Sequence, residues 1–175
     1  MRIDLLTVGS RGDVQPAIAL GIGLKSAGFE ARVVAFENYR ALVEGVGLPF
    51  FPVGAQIQEL MNPMLVGMGE SGTAVFRIVP ELIRMFRRLY SQMTIDFWQL
   101  CQDSDAVISN AATAMPAAAV AEKLKIPVIE TSVFPGWPTR SFPSIFWPWP
   151  SRVETRPGLV KGLFNLATYL PARMA

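Results

Sequence analysis

The chain has 175 residues, enough for one domain with a real core and short for two. It is 51% hydrophobic and only 17% charged, against about 25% charged in typical soluble domains, which implies a covered or apolar-facing surface. The net charge of +2, without a dense Lys/Arg tract, argues against nucleic acid, while zero His and one Cys exclude an intrachain disulfide and a Cys/His zinc site.

Residues 3–8 read as an apolar strand, and Gly9-Ser10-Arg11-Gly12-Asp13-Val14-Gln15-Pro16 turns it into a helix over 14–27 that stops at Gly28. Gly21 and Gly23 inside that helix each cost roughly 0.5–1 kcal/mol relative to Ala, so they imply close packing of helix on sheet. A strand over 31–36, a helix over 39–46 and a strand over 49–53 follow. Residues 56–72 are irregular and rich in Met, Gly and Pro. A long helix is predicted from near Pro80 to Leu100. At about 100° per residue, it collects Arg77, Arg84 and Arg88 on one face with Arg87 at the edge, and Leu82, Met85, Phe86, Leu89 and Met93 on the other. A strand over 106–109, a helix over 113–124 and a strand over 127–131 complete the alternation. Residues 134–150, FPGWPTRSFPSIFWPWP, are too rich in proline for helix or central strand and read as a long loop, followed by an amphipathic segment over 159–170. Alternating strands and helices predict an α/β fold, a Rossmann-like parallel sheet with helices on both faces. The N-terminus lacks the pattern of a secretory signal, and no apolar run reaches the ~20 residues of a membrane span, so a cytoplasmic location is expected.

In an open α/β sheet, ligands bind beyond the carboxyl ends of the strands, where Asp13 lies. With no histidine in the chain, carboxylates are the main candidates for a neutral-pH base. Asp13 therefore has two readings: a catalytic base, or only a helix N-cap accepting from the N–H of Gln15 or Ala17. The turn is neither a dinucleotide fingerprint nor a Walker A loop, because Gly9 and Gly12 lack the required spacing, and Glu37 imitates a ribose-binding acid without those glycines. The arginine face of the long helix is either a solvated face or one drawn to anionic lipid. The Met and Phe residues between Met61 and Met85 are either core or an adaptable apolar ligand surface.

Three segments carry a resemblance: TVGSRGDVQPAIALGIGLKSAGFEARVVA, AVISNAATAMPAAAVAEKLKIPVI and FPGWPTRSFP. Over about the first 150 residues the chain resembles the N-terminal half of the inverting GT-B glycosyltransferases, in the group of sterol and antibiotic-aglycone glycosyltransferases. That family sets two Rossmann-like domains across a cleft, the N-terminal one holding the acceptor and the C-terminal one the nucleotide-sugar, usually a UDP-hexose. The resemblance implies that Asp13 takes the acceptor hydroxyl proton and that Ser10 lies near the donor diphosphate. Related plant enzymes pair a His at the base position with an Asp after the fourth strand; the corresponding residues here are Asp13 and Asn110. Asn110, Met61, Met64, Phe76, Met85, Phe134 and Trp137 are expected to line an acceptor pocket for an apolar alcohol such as a sterol, lipid or aglycone. No tightly bound cofactor and no obligatory metal are implied; the UDP-sugar is a substrate held mainly by the donor domain.

Family members are longer, so residues 1–175 read as one acceptor-binding domain lacking its donor domain and short of its own last elements. Such a chain is expected to be inactive without a donor-domain protein partner, and to make peripheral contact with a membrane. The alternative is a non-catalytic lipid-, membrane- or partner-binding module, or a truncated gene product, that retains the fold.

Overall fold

The computed structural model describes residues 1–54, 75–133, 139–141 and 158–167; within the helices, the side chains at 75–83, 159–162 and 164 lie outside that description. The predicted irregular stretch over 56–72 and most of the aromatic loop over 134–150 fall outside it as well. The chain divides into two compact units, Met1–Thr131 and Ser132–Ala175.

In the first unit, β1 (Arg2–Leu6), β2 (Glu30–Phe36), β3 (Phe50–Val53), β4 (Ala106–Ser109) and β5 (Val128–Glu130) form one parallel sheet in the order β3-β2-β1-β4-β5. The helices are α1 (Arg11–Ser26), α2 (Arg40–Glu44) after a 3-10 turn at Glu37–Tyr39, α3 (Val75–Leu100) and α4 (Ala114–Leu124). Helices on both faces bury the central strands twice over, which is why those strands read as continuous apolar runs instead of alternating ones. On one face Ile3, Leu5, Val33 and Ile108 pack with Val14 and Ile18 of α1 and Val43 of α2. On the other, Leu6, Val34 and Val107 pack with Leu89, Met93 and Phe97 of α3 and Ala117 and Val120 of α4. The fold class predicted from the alternation is the one observed.

Gly21 has the packing reason its position suggested, since a Cβ there would lie 2.9 Å from Leu48 Cδ1 and 3.0 Å from Leu5 Cδ1. Gly23 does not: nothing lies within 4 Å of its would-be Cβ. Gly28 ends α1 with φ +86°, a conformation that favours glycine. Along α3, Arg84, Arg87 and Arg88 are exposed while Leu89 and Met93 are buried, as the periodicity predicts. Phe86 departs from it: 42% exposed, it stacks on Tyr90 with ring centroids 6.2 Å apart, because core contact along the described part of α3 begins only at Leu89.

One buried polar cluster interrupts the α3 side of the sheet. Asp4 and Arg32 are register partners on β1 and β2, and they form a bidentate ion pair with Nε–Oδ1 2.6 Å and Nη2–Oδ2 2.7 Å. Arg32 also donates to the Leu100 carbonyl at 3.1 Å, to Asp103 at 3.0 Å and to Ser104 Oγ at 3.2 Å, and Ser104 donates to Asp4. The pair thus ties the last turn of α3 to two strands. Burial, reinforced by the Asp4 charge, pushes the adjacent Cys101 thiol up to about 12, so it stays protonated at neutral pH and is a structural residue.

The second unit contains α5 (Gly158–Ala167), inside the segment predicted as amphipathic, where Asn165 Nδ2 donates to the Arg140 carbonyl at 2.8 Å. Among the described residues no helix is long and apolar enough to cross a membrane.

Candidate active site

The strand order reverses direction between β1 and β4, so the crevice beyond their carboxyl ends is the topological switch point of this sheet. The chain places two turns there: residues 7–13 after β1 and residues 110–113 after β4. Asp13 and Asn110, far apart in sequence, are thereby brought to one end of the sheet.

The first turn differs from the sequence expectation in one respect. Helix α1 starts at Arg11, three residues before the predicted start, with Ser10 as its N-cap, so Asp13 sits at the third helical position and is not itself the N-cap. Its carboxylate reaches backwards instead of forwards: the Ser10 N–H and the Ser10 hydroxyl both donate to Asp13 Oδ2, each at 2.8 Å. This is the side-chain-to-N-cap half of a capping box, with Asp at the position where Glu or Gln is usual. The helix N-terminus also favours a negative charge at this place. Among the described residues, Ser10 alone donates to this half-buried carboxylate, and Oδ1 keeps its lone pairs.

Gly9 makes the arrangement sterically feasible. Its φ of +141° is unfavourable for any other residue, and a Cβ there would come within 2.4 Å of Asp13 Oδ2. The Gly9 carbonyl accepts a hydrogen bond from the Tyr39 hydroxyl at 3.3 Å.

The second turn is held internally. Asn110 Oδ1 accepts from the Thr113 N–H at 3.1 Å, and Asn110 Nδ2 donates to the Val8 carbonyl at 2.9 Å and to Thr7 Oγ1 at 3.3 Å. The buried Thr113 hydroxyl donates to the Leu6 carbonyl at 2.7 Å and accepts from the Asn110 N–H at 3.0 Å. The Thr7 hydroxyl in turn donates to the main-chain carbonyl of Asp13 at 3.1 Å.

Of the other predicted pocket residues, Met61, Met64, Phe134 and Trp137 lie outside the described residues. Phe76 falls in α3 with its side chain outside the description, and Met85 is half-buried on the same helix. Among the described residues no three His, Cys, Asp or Glu side chains come together as metal ligands. Thr7, Tyr39 and Thr113 were not singled out from sequence. Asn110 followed three residues later by Thr113 is a turn signature that could have revealed one of them.

Residues 3–143 match the glycosyltransferase family 28 N-terminal domain. The sterol 3-beta-glucosyltransferase of Glomerella lagenarium is 35% identical over 170 residues, covering 97% of this chain and 11% of that protein. The UDP-sugar-dependent glycosyltransferase 52 of Dictyostelium discoideum is 32% identical over 172 residues, 97% of this chain and 10% of its own length. The chain thus spans about a tenth of these curated relatives. Among solved structures, a Streptomyces sp. SF2575 glycosyltransferase complexed with thymidine diphosphate superposes with TM-score 0.58 at 26% identity, over 82% of this chain and 40% of that one. The calicheamicin glycosyltransferase, at 16% identity and TM-score 0.62 over 75% of this chain and 32% of its own, shares the fold.

Proposed function

The chain belongs to glycosyltransferase family 28, as an N-terminal domain related to sterol glucosyltransferases, and from that premise we propose that it is the acceptor-binding half of a UDP-sugar-dependent hexosyltransferase acting on an apolar alcohol. One observation carries this reading: a carboxylate at the switch point, fixed through Oδ2 by Ser10, whose Oδ1 has no partner among the described residues. In the proposed reaction Asp13 Oδ1 takes the proton of the acceptor hydroxyl while the oxygen of that hydroxyl attacks the anomeric carbon. The bond from that carbon to the diphosphate oxygen breaks, and UDP leaves from the opposite face. Ser10 has spent its hydroxyl proton on Asp13, so its role in this reading is to hold the base; a diphosphate oxygen, which can only accept, would receive that proton only after the bond to Asp13 is released.

The acceptor class rests on the activity of the relatives, sterol 3-beta-glucosyltransferases, and on the apolar composition of this chain. The alignment to the solved Streptomyces enzyme takes in 82% of this chain and 40% of that one, and we assign the uridine and diphosphate contacts to a donor-side domain outside these residues. By themselves these residues bind acceptor without transferring sugar. A peripheral membrane contact fits the same reading, since the outward face of α3 carries exposed Arg84, Arg87 and Arg88 followed by exposed Ile95 and Trp98. The test is product analysis of an enzyme containing these residues, supplied with UDP-glucose and a sterol. A sterol glucoside of inverted anomeric configuration, identified by NMR, is the predicted product; a retained configuration, or transfer only to polar acceptors, overturns the reading.

A further inference from the structure

We propose that Asn110 is a positioning residue, and that it holds the base-bearing turn through Thr7 instead of touching the acceptor. This rests on the glycosyl-transfer reading above and deepens it. Every hydrogen-bonding atom of the Asn110 amide is already committed within the fold: Oδ1 to the Thr113 N–H, one Nδ2 hydrogen to the Val8 carbonyl and the other to Thr7 Oγ1. An acceptor could take a hydrogen bond from this amide only by breaking one it already makes, and Oδ1 is flanked by both the Thr113 N–H at 3.1 Å and the Thr113 hydroxyl oxygen at 3.0 Å. The Thr7 hydroxyl both accepts from Asn110 and donates to the Asp13 carbonyl, so it is a single atom joining the β4–α4 turn to the first turn of α1. Thr7 is 1% exposed and Thr113 is fully buried, which keeps water from substituting for either bond.

The arrangement gives a division of labour. Ser10 sets the rotamer of the Asp13 side chain, and Gly9 leaves room for it. The path from Thr113 through Asn110 and Thr7 sets where the Asp13 backbone stands relative to β4. A residue placing the base affects the chemical step, because a displacement of about 1 Å can cost about 10²-fold in rate. A residue contacting the acceptor affects binding instead.

The test uses an active enzyme containing these residues, comparing wild type with Asn110→Asp, Thr7→Val and Thr7→Ser. Asn110→Asp keeps the shape but replaces two donors by acceptors facing the Val8 carbonyl and Thr7. Thr7→Val removes the relay hydroxyl, and Thr7→Ser restores it. The account predicts that Asn110→Asp and Thr7→Val lower kcat by about 10- to 100-fold with KM for the sterol unchanged, and that Thr7→Ser stays near wild type. In the same variants, hydrogen exchange of the segment over 9–14 should accelerate in Asn110→Asp and Thr7→Val but not in Thr7→Ser. A rise in KM at unchanged kcat would assign Asn110 to the acceptor pocket and overturn the proposal, as would wild-type kcat in Thr7→Val. If the wild type transfers no sugar, the function reading fails separately, and the exchange pattern alone decides whether the brace exists; unchanged exchange in both variants refutes it.

Discussion

Asp13→Asn is expected to lower turnover by about 10²-fold or more, the scale of general-base loss, while leaving the fold nearly as stable as before. The asymmetry follows from the geometry. The Asn carbonyl oxygen can take the place of Oδ2 and still accept from the Ser10 N–H and hydroxyl, so the capping interaction survives. What disappears is the proton-accepting oxygen, together with a negative charge at the helix N-terminus worth about 0.3–1 kcal/mol. Asp13→Ala should be equally inactive and lose about 1 kcal/mol more, because the Ser10 N–H then has no side-chain partner. Gly9→Ala should reach the same inactivity by a different route, since its methyl would occupy the space 2.4 Å from Oδ2 and expel the carboxylate. Steady-state kinetics beside urea denaturation separate these effects. Near-full turnover in Asp13→Asn would mean that the carboxylate only caps α1.

Asp4→Ala is expected to cost about 3–5 kcal/mol of stability, the range for breaking a buried ion pair by removing one partner. Asp4 is fully buried and Arg32 is 8% exposed, so the substitution strands a guanidinium with the Leu100 carbonyl, Ser104 and the rim carboxylate of Asp103. Asp103→Ala is the control. That carboxylate is 55% exposed, and its contact with Arg32 should be worth no more than about 1 kcal/mol. Urea unfolding of the three proteins measures the difference, and equal losses for the two substitutions would contradict the buried-pair account. Because the pair also anchors the end of α3, the loss in Asp4→Ala should appear in hydrogen exchange of α3 as well as of the sheet.

The sheet was legible in the sequence because its strands are covered on both faces and therefore consist of short β-branched and apolar runs at residues 3–8, 31–36 and 106–109. The Asp4–Arg32 pair was not, because a charge inside such a run reads as a surface position until the register is known. Once Arg2 pairs with Glu30, equal offsets place Asp4 against Arg32. The start of α1 was hidden by Asp13, itself a favoured N-cap residue, which pointed to a start at Val14 although Ser10 is the cap. The helix instead begins at Arg11 and carries Pro16 inside. That shift converts Asp13 from a forward-facing cap into a carboxylate folded back on Ser10, an arrangement that only backbone geometry reveals. Asn110 was singled out through resemblance to enzymes with a carboxylate at its position. Its commitment to Val8, Thr7 and Thr113 depends on contacts across more than 100 residues for the first two, which no local pattern encodes.

The most direct measurement of the acceptor-side assignment is a pair of calorimetric titrations of the 175-residue protein, one with a sterol carried in cyclodextrin and one with UDP-glucose. The account predicts saturable binding of the sterol, lost when its hydroxyl is replaced by a methyl ether, and no detectable heat from UDP-glucose at micromolar concentrations. Micromolar binding of UDP-glucose with no binding of the sterol would place these residues on the donor side and contradict it.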